Sequence, residues 1–268
     1  MKFAIIIPTF NRPAFLVRAV RSVLAQTYPN WVLVVCDDCS TVNYSEVESW
    51  LSDPRIFLVR TEKNGGCNAA RNKAIDKAFE LKADYILTTL DDEDELDPFC
   101  LEKAAQEIEA HPQYGWFISN SYGADKSSSR SISQAQEFDW IDDYMYGKSL
   151  RGDKAQIISM EVLGSIRFDA RYRSSNMWPF FLPLAAKTKI WGYPYLSLKK
   201  DYLEGGITRS VKFAPKSYRV IYSRFAKHAY CVYLRPGNWH AYKYLFLELV
   251  KSPGRILGVW IRYGKAGK

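Results

Sequence analysis

The fold is decided by the stretch Tyr85-Ile86-Leu87-Thr88-Thr89-Leu90-Asp91-Asp92-Glu93-Asp94-Glu95, in which an apolar run passes directly into five consecutive carboxylates. A short, continuous apolar run is typical of a strand buried in a parallel sheet. In open α/β sheets, ligands bind beyond the carboxyl ends of the strands. The stretch therefore predicts a strand over residues 85–90 that ends at a ligand site.

Outward from this stretch, segments with strand and helix spacing alternate. Strands are predicted at residues 3–7, 31–36, 56–59 and 116–119, and helices at residues 15–24, 69–81 and 98–110. This alternation indicates an α/β fold, in which helices flank a mostly parallel central sheet on both faces. A Ser-rich stretch at residues 125–136 marks a change of subdomain, so we divide the chain into residues 1–125, 126–210 and 211–268.

The acidic run Asp91–Glu95 has two interpretations. Carboxylates this close repel one another, and a hard divalent cation such as Mg²⁺ or Mn²⁺ relieves that repulsion because it prefers oxygen ligands. Mg²⁺ typically takes one or two protein carboxylates and further ligands from substrate phosphates. Alternatively, the run is an acidic helix entry, since carboxylates stabilise helix N-termini. Spacing alone leaves both open, and the apolar strand before the run favours the cation site.

Two further polar clusters follow predicted strands. Pro8-Thr9-Phe10-Asn11 comes after the first strand, and Asp37-Asp38 comes after the second. Asp38, with Ser40 or Thr41, is placed either to accept a hydrogen bond from a nucleobase N–H or to cap a turn. The first strand is not followed by Gly-x-Gly-x-x-Gly, and the chain lacks a complete P-loop pattern, which disfavours a dehydrogenase and a P-loop kinase.

Five stretches carry a resemblance to a known family. They lie at residues 5–12, 22–31, 34–41, 64–72 and 90–96. In these stretches, the chain resembles the family 2 glycosyltransferases of the GT-A fold, especially those of bacterial surface-polysaccharide assembly. Any one stretch is a weak match, whereas five in the family's order and spacing are specific.

The resemblance implies that residues 1–125 are a nucleotide-sugar donor-binding half and residues 126–210 the acceptor-side half of the same domain. The donor would be a nucleotide-sugar, most often a UDP-sugar, and its sugar would pass with inversion to a glycan or lipid-linked acceptor. Asp38 would read the base, and Asp92 would lie near the ribose. The residues implied to bind the nucleotide are Pro8, Thr9, Asn11, Asp38, Arg71 and Asp92.

The resemblance also implies a metal site at Asp91 and Glu93, with Mn²⁺ or Mg²⁺ as the cofactor. Asp91-Asp92-Glu93 stands where the family has an Asp-x-Asp motif, so Glu93 departs from the usual Asp. A longer carboxylate still ligates a cation. The metal would neutralise the diphosphate leaving group as its bond to the sugar breaks.

The second half departs further from the family. In family members, a Phe-Asp pair is followed by a helix that begins with an acidic residue, and the carboxylate of that residue is the general base. Here the Phe-Asp pair is at residues 168–169, and the corresponding stretch, residues 174–181, contains no carboxylate. A histidine that often completes the metal site is also missing, and Lys199-Lys200-Asp201-Tyr202 stands there instead. Asp201 is our prediction for the base. The alternative is a catalytically silent relative that binds the nucleotide-sugar as a scaffold or regulatory subunit.

The C-terminal extension, residues 211–268, is strongly basic within a chain of net charge +8. After Glu204 its single acid is Glu248, and aromatic and aliphatic residues interleave with Lys and Arg. Such a segment is typical of one that lies on an anionic membrane surface. Packing of helices on the donor-binding half is the alternative, and the lack of a nucleic-acid motif disfavours a nucleic-acid partner.

The location is predicted from cysteine usage and hydropathy. Five scattered cysteines do not form a disulfide pattern, which favours a reducing compartment. The sequence contains no stretch of about 18 apolar residues, the length that would predict a transmembrane helix. The N-terminal apolar run is too short for a signal peptide. We therefore expect a cytoplasmic protein, with peripheral attachment to the inner face of the plasma membrane as a further possibility.

Overall fold

The computed structural model describes residues 1–45, 49–123, 132–147, 149–173, 177–200 and 218–263. Within helices, the side chains of residues 51, 218–220 and 256–263 are not described. The predicted base, Asp201, lies outside the described residues, as do residues 174–176 of the stretch that lacks a carboxylate.

Four parallel strands form the first half of the sheet. They are β1 (Phe3–Thr9), β2 (Trp31–Asp37), β3 (Ile56–Arg60) and β4 (Tyr85–Leu87), and they pair in the order β3-β2-β1-β4. Every residue of β1 and β2 is buried. Thr9 pairs in register with Asp37, so the polar residues that follow these two strands meet at one edge of the sheet.

Helices cover both faces of these strands, which explains the continuous apolar runs. Helix α1 (Pro13–Leu24), a 3₁₀ turn (Ser49–Ser52), α2 (Cys67–Glu80) and α3 (Cys100–Ala110) connect the strands. Ala4 and Ile6 of β1 pack in the cluster that includes α2, while Ile5 and Ile7 pack in the opposite cluster with α1 and α3. Alternate residues of one strand therefore supply two separate cores.

The second half of the sheet mixes directions. The strands β5 (Glu95–Leu96), β6 (Trp116–Gly123), β7 (Gln136–Phe138), β8 (Lys154–Ser159) and β9 (Ile190–Lys200) continue the order as β4-β8-β6-β9-β5, with β7 paired to β9. Strand β8 runs antiparallel to β4 and β6, and β6 is parallel to β9. Within the described residues, β5, β7 and β8 oppose the common direction of the other strands, so the sheet is mostly parallel.

Helical segments close the second half. A π-helix (Trp140–Tyr146), α4 (Met160–Leu163), α5 (Trp178–Lys187), α6 (Tyr218–Leu234) and α7 (Trp239–Tyr263) follow in chain order. Asp139 fastens this part together, because its carboxylate accepts from the backbone N–H groups at the π-helix start and from Lys189 (2.6 Å) and Arg235 (3.0 Å). Among the described residues, no helix is both long and apolar enough to cross a bilayer.

The α/β fold with a mostly parallel sheet is confirmed, and the main differences from the sequence prediction concern β4 and β8. Strand β4 ends at Leu87 instead of Leu90, and Thr88 N donates to Gln156 O of β8 beyond that point. The pattern also gave no indication of β8, whose pairing partners are distant in sequence. Because β8 lies between β4 and β6, it links the two halves into one sheet.

Candidate active site

A cavity of about 560 Å³ opens at the carboxyl ends of β1 and β4, where the acidic run begins. We call it the carboxylate cavity. Its charged lining combines carboxylates with arginines: Asp38, Asp91, Asp92, Glu93, Arg12, Arg71 and Arg173. The rest of its wall includes Pro8, Thr9, Phe10, Asn64, Gly66, Cys67 and Ala70. All but one of the predicted nucleotide and metal residues therefore line a single cavity.

Asp91 and Asp94 are held by two cations from distant parts of the chain. Arg71 on α2 donates to Asp91 Oδ1, and Lys200 Nζ at the end of β9 lies 2.6 Å from Asp94 Oδ2 and 3.5 Å from Asp91 Oδ2. Burial opposes ionisation of Asp91, but Arg71 and Lys200 outweigh it, and the pKa of Asp91 lies below its ordinary value. Burial raises the pKa of Asp94 to about 7, against the effect of Lys200.

Asp92 and Glu93 are joined by Arg12, the residue that precedes α1. Arg12 Nη1 lies 2.5 Å from Glu93 Oε2 and 3.5 Å from Asp92 Oδ1, while Thr9 Oγ1 donates to Asp92 Oδ2 at 2.8 Å. Burial raises the pKa of Asp92 to about 6, although Thr9 and Arg12 act in the opposite direction. The first four residues of the acidic run are thus held by three cations from other segments, Arg12, Arg71 and Lys200.

Asp38 is on the cavity wall and also holds the neighbouring loop. Its Oδ1 accepts from Thr61 Oγ1 (3.0 Å) and Gly65 N (2.9 Å), and its Oδ2 accepts from Gly66 N (2.6 Å). A carboxylate has about four acceptor positions, so one remains beyond these three hydrogen bonds. Asp38 therefore holds the loop before α2, whereas the turn directly after β2 is capped by Asp37, whose Oδ1 accepts from Ser40 N at 2.9 Å. The remaining acceptor position of Asp38 leaves room for a base contact.

Asn11 is the predicted residue that the structure does not place on the cavity wall. Its backbone is in the left-handed region, with φ of 55°. Its Oδ1 accepts from Thr41 N at 2.8 Å, and its backbone N–H donates to Ser40 Oγ at 2.8 Å. Asn11 therefore ties the loop after β1 to the loop after β2, which is a positioning contact next to the cavity.

A second cavity of about 340 Å³ shares Arg71 and Asp91 with the first. We call it the aromatic cavity. Its apolar wall contains Trp140, Tyr144, Met145, Met177, Trp178 and Phe181, and its charged wall contains Asp153, Lys154, Lys200 and Lys227 besides the shared pair. These residues come from the π-helix, β8, α5, β9 and α6, so the cavity is assembled from segments of the second half.

Apart from Arg71, the basic residues that line the two cavities were not assigned a role from the sequence: Arg12, Lys154, Arg173, Lys200 and Lys227. Arg12 stands beside Asn11 in a motif that was recognised, and Lys200 was noted only as a replacement for a histidine. Arg173 reaches the loop of Gly66, where its backbone oxygen accepts from Asn68 N at 3.1 Å. The signal that was available is charge compensation, since a run of buried acids requires nearby bases.

Asp91 and Glu93 fit a divalent cation by their donor chemistry. Both side chains line the carboxylate cavity, at 34% and 20% exposure, and offer the hard oxygen ligands that Mg²⁺ and Mn²⁺ prefer. Among the described residues, no group of three or more His, Cys, Asp or Glu side chains is arranged to hold a metal. A cation here would take its remaining ligands from substrate phosphate and water, as is typical of Mg²⁺.

The comparison with protein families decides the classification. The model of "Glycosyl transferase family 2" matches residues 4–163, which is more than half of the chain. The chain belongs to glycosyl transferase family 2. The matched region of this family contains both the acidic run and all the residues predicted to bind the nucleotide.

Two of the similar proteins come from Escherichia coli. WcaA of Escherichia coli (strain K12), named for colanic acid biosynthesis, is 41% identical over 98 residues, or 35% of this chain and 33% of WcaA. The Escherichia coli protein named UDP-Glc:alpha-D-GlcNAc-diphosphoundecaprenol beta-1,3-glucosyltransferase WfgD is 41% identical over 75 residues, or 28% of this chain and 30% of WfgD. In WcaA and two further relatives, the match covers between 16% and 33% of the relative's length.

Solved structures share the fold. S. aureus TarS 1-349 in complex with UDP-GlcNAc superposes with a TM-score of 0.77 at 20% identity, covering 93% of this chain and 72% of that chain. The mannosyltransferase PcManGT from Pyrobaculum calidifontis, in complex with GDP-Man and Mn²⁺, has a TM-score of 0.62 at 16% identity and covers 100% of this chain and 76% of that chain. At 16–20% sequence identity, this structural likeness shows that the protein has the GT-A fold.

Proposed function

We propose that this protein transfers a sugar from a nucleotide-sugar, most often a UDP-sugar, to a glycan or lipid-linked acceptor in bacterial surface-polysaccharide biosynthesis. The observation that carries the proposal is the carboxylate cavity, in which the acidic run faces Arg12 and Arg71 at the carboxyl ends of the parallel strands. The names of WcaA and WfgD and the ligand in the TarS structure support the same class of reaction.

We propose for the residues of the cavity wall the roles that the family resemblance implies, and their shared position on that wall supports these roles. Pro8 and Thr9 border the nucleotide, Asp38 offers its remaining acceptor position to the base, and Asp92 lies near the ribose. Arg71 pairs with Asp91 and also presents its buried guanidinium to the cavity, where its donors match the oxygens of a diphosphate. Asn11 acts by fixing the loop.

Asp91 and Glu93 would hold Mn²⁺ or Mg²⁺. Such a cation, when bound, supplies positive charge to the diphosphate that leaves. Arg12 and Arg71 add charge of the same sign from the wall of the cavity, so the protein's own residues also favour departure of the nucleoside diphosphate.

Inversion requires a base that removes the proton of the acceptor hydroxyl. Asp201 remains our proposal for this base, since it follows Lys200, whose ammonium contacts Asp91. Asp153, on the wall of the aromatic cavity, is the second carboxylate that we compare with Asp201 for the role of the base. We expect Asp201→Asn to lower kcat about 100-fold or more, the range for loss of a general base, with UDP affinity unchanged. A larger loss in Asp153→Asn would transfer the role to that residue.

The test of the proposed activity is donor turnover. The purified protein is incubated with UDP-, GDP- and dTDP-sugars and mixed lipid-linked acceptors, with Mn²⁺ or Mg²⁺ and then with EDTA, while the free nucleoside diphosphate is measured. We expect release from one donor and its loss after chelation. UDP binding without turnover of any donor would instead support the catalytically silent alternative.

We also propose that α7 lies on an anionic membrane surface at the inner face of the plasma membrane, in the cytoplasm. Large apolar side chains on one face of this helix are exposed to solvent: Trp239, Tyr242, Phe246, Leu249 and Val250. Lys243 lies beside this face, with its ammonium 5.3 Å from the Trp239 ring. An exposed apolar face flanked by Lys is typical of interfacial helices.

Flotation with liposomes tests the membrane contact. The wild type is expected to float with vesicles that contain anionic lipid and to remain behind with neutral vesicles, because both the apolar face and the basic charge contribute. Phe246→Ser with Leu249→Ser should reduce flotation without loss of thermal stability, since both side chains are exposed. Equal recovery of the wild type with and without vesicles would contradict the proposal.

A further inference from the structure

The aromatic cavity is placed where an acceptor must approach the donor. Arg71 and Asp91 line both cavities, so a molecule in the aromatic cavity lies directly beside one in the carboxylate cavity. Its volume of about 340 Å³ is within the usual range for sites that bind small molecules. The residues that line it therefore report on the chemistry of the acceptor.

Stacked aromatic rings form a rigid floor in this cavity. The Trp140 ring stacks on Tyr144, with centroids 4.1 Å apart and planes at 19°, and it packs against Phe181 at 4.5 Å. A hydrogen bond holds the Trp178 ring in place, because its Nε1 donates to Ser223 Oγ of α6 at 2.9 Å. Tyr144 is 36% exposed and offers a free ring edge or face. Rings held in this way present flat apolar area without loss of side-chain entropy.

Lysines stand around this floor. Lys200 is already paired with Asp91 and Asp94. Lys154 on β8 is buried, and its ammonium donates to the carbonyl oxygens of Arg151 and Asp153. Burial lowers the pKa of Lys154 to about 8, and the Asp153 charge acts in the opposite direction.

Lys227 reaches the cavity from α6, and burial lowers the pKa of its ammonium as well. The described wall carries four cationic side chains and two carboxylates: Arg71, Lys154, Lys200 and Lys227 against Asp91 and Asp153. From outside the wall, Asp94 pairs with Lys200, and the charge of Glu248 acts on Lys227. The described wall therefore has an excess of positive charge in an apolar setting, where an anion is bound strongly.

We propose that the aromatic cavity binds a sugar ring of the acceptor that carries an anionic group, either a phosphate or a carboxylate. The proposal rests on the proposed function, because it assigns the acceptor of that same reaction. The ring lies against Tyr144 and Trp178, and Lys154 and Lys227 bind the anionic group. A phosphate and a carboxylate are both matched by an ammonium point charge.

The experiment measures binding through tryptophan fluorescence, because Trp140 and Trp178 are in the cavity wall. UDP is kept at saturation to occupy the carboxylate cavity. The probes are methyl β-D-glucoside, methyl β-D-glucuronide and α-D-glucose 1-phosphate. We expect the better of the two anionic probes to bind about tenfold more tightly than the neutral glycoside, as one charged hydrogen bond would provide. The anionic probe that binds more tightly, the glucuronide or the sugar phosphate, shows whether the site prefers a carboxylate or a phosphate.

Variants separate charge from stacking. Lys154→Met with Lys227→Met should reduce the affinity for the anionic probes to that for the neutral glycoside. Tyr144→Ala should weaken the binding of all three probes. Lys103→Met removes a positive charge on helix α3, outside the cavity wall, and should change nothing. Equal affinities of the three probes for the wild type, or no binding of any probe, would overturn the inference. Loss of UDP binding would instead indicate failure of the proposed function, and UDP binding is measured separately.

Discussion

The two cavities share Arg71 and Asp91 but are built in different ways. The carboxylate cavity consists largely of motifs, because most of its residues lie at the ends of β1, β2, β3 and β4 or soon after them, in short stretches of sequence. The aromatic cavity is assembled mainly from five segments, each of which supplies one to three scattered residues. Residues that follow parallel strands are brought together by the sheet itself, whereas the aromatic cavity depends on how α5 and α6 pack. The first is thus a property of the sheet and the second of the helices around it.

The largest expected effect is on catalysis in the carboxylate cavity. Asp91→Ala with Glu93→Ala should lower metal-dependent release of the nucleoside diphosphate by about 10³-fold, since both proposed ligands of the cation are removed. Glu95→Ala is the control, because Glu95 pairs with Lys199 and Arg18 and is absent from the cavity wall. Retention of EDTA-sensitive turnover in the double variant would contradict the metal site.

A change in the loop of Gly66 should affect the carboxylate cavity through the backbone. Gly66 has φ of +89°, and an added Cβ would lie 2.6 Å from the backbone oxygen of Arg173. We expect Gly66→Ala to lower the free energy of unfolding by about 3 kcal/mol through strain and collision and to weaken UDP binding. Gly237→Ala is the control, because nothing lies within 4 Å of its added Cβ. Urea unfolding measures the stability of both variants. Equal unfolding midpoints for Gly66→Ala and Gly237→Ala would exclude strain at Gly66.

The helices around the aromatic cavity should be sensitive to acid through His228. Burial lowers the pKa of His228 to about 4, below the ordinary value of 6.5. The unfolded chain then binds a proton that the folded chain does not, so this stability is present above pH 6.5 and is lost as the pH falls toward 4. We expect the wild type to lose about 2–3 kcal/mol over that interval.

Replacement of His228 isolates this contribution. His228→Gln retains a partner for the Tyr146 hydroxyl, which lies 2.7 Å from His228 Nδ1. Its unfolding free energy should fall less between pH 6.5 and 4, as measured by urea unfolding at each pH. Identical slopes for the variant and the wild type would mean that His228 is not the responsible group.

The smallest expected effect distinguishes a buried ion pair from a surface one. Asp139→Ala should lower the free energy of unfolding by about 2 kcal/mol, because Lys189 and Arg235 lose a shared buried partner but are themselves partly exposed. Asp76→Ala removes a pair with Arg167 in which Asp76 is 62% exposed, and it should cost under about 1 kcal/mol. Thermal or urea unfolding compares them, and equal losses would remove the proposed distinction.

Sequence predicted the first half of the protein well. The strands that form β1, β2 and β3 are continuous apolar runs, and the polar residues after them lie at one edge of the sheet, as expected. The pairs Arg12–Glu93 and Lys200–Asp94 were not predicted, because they join residues that are far apart along the chain. Family resemblance gave the roles of the motif residues, and those roles stay predictions.

The aromatic cavity could not be predicted for a related reason. Trp140 lies on a π-helix, which has no characteristic sequence spacing, and α5 contains Pro183, a residue that disfavours the interior of a helix. Strand β8 has only Ala155, Ile157 and Ile158 as apolar residues between polar ones. Local patterns of this strength do not identify a partner strand, and the position of β8 between β4 and β6 depends on tertiary pairing.

The position of β9 has a consequence for synthesis on the ribosome. Strand β9 lies between β6 and β5, and its last residue, Lys200, supplies the ammonium for Asp91 and Asp94. A nascent chain that has emerged only as far as β8 therefore exposes an acidic run without that counter-charge and a β5 segment without its hydrogen-bonding partner. The first half of the sheet can assemble during translation, but the site is completed only when residue 200 leaves the exit tunnel.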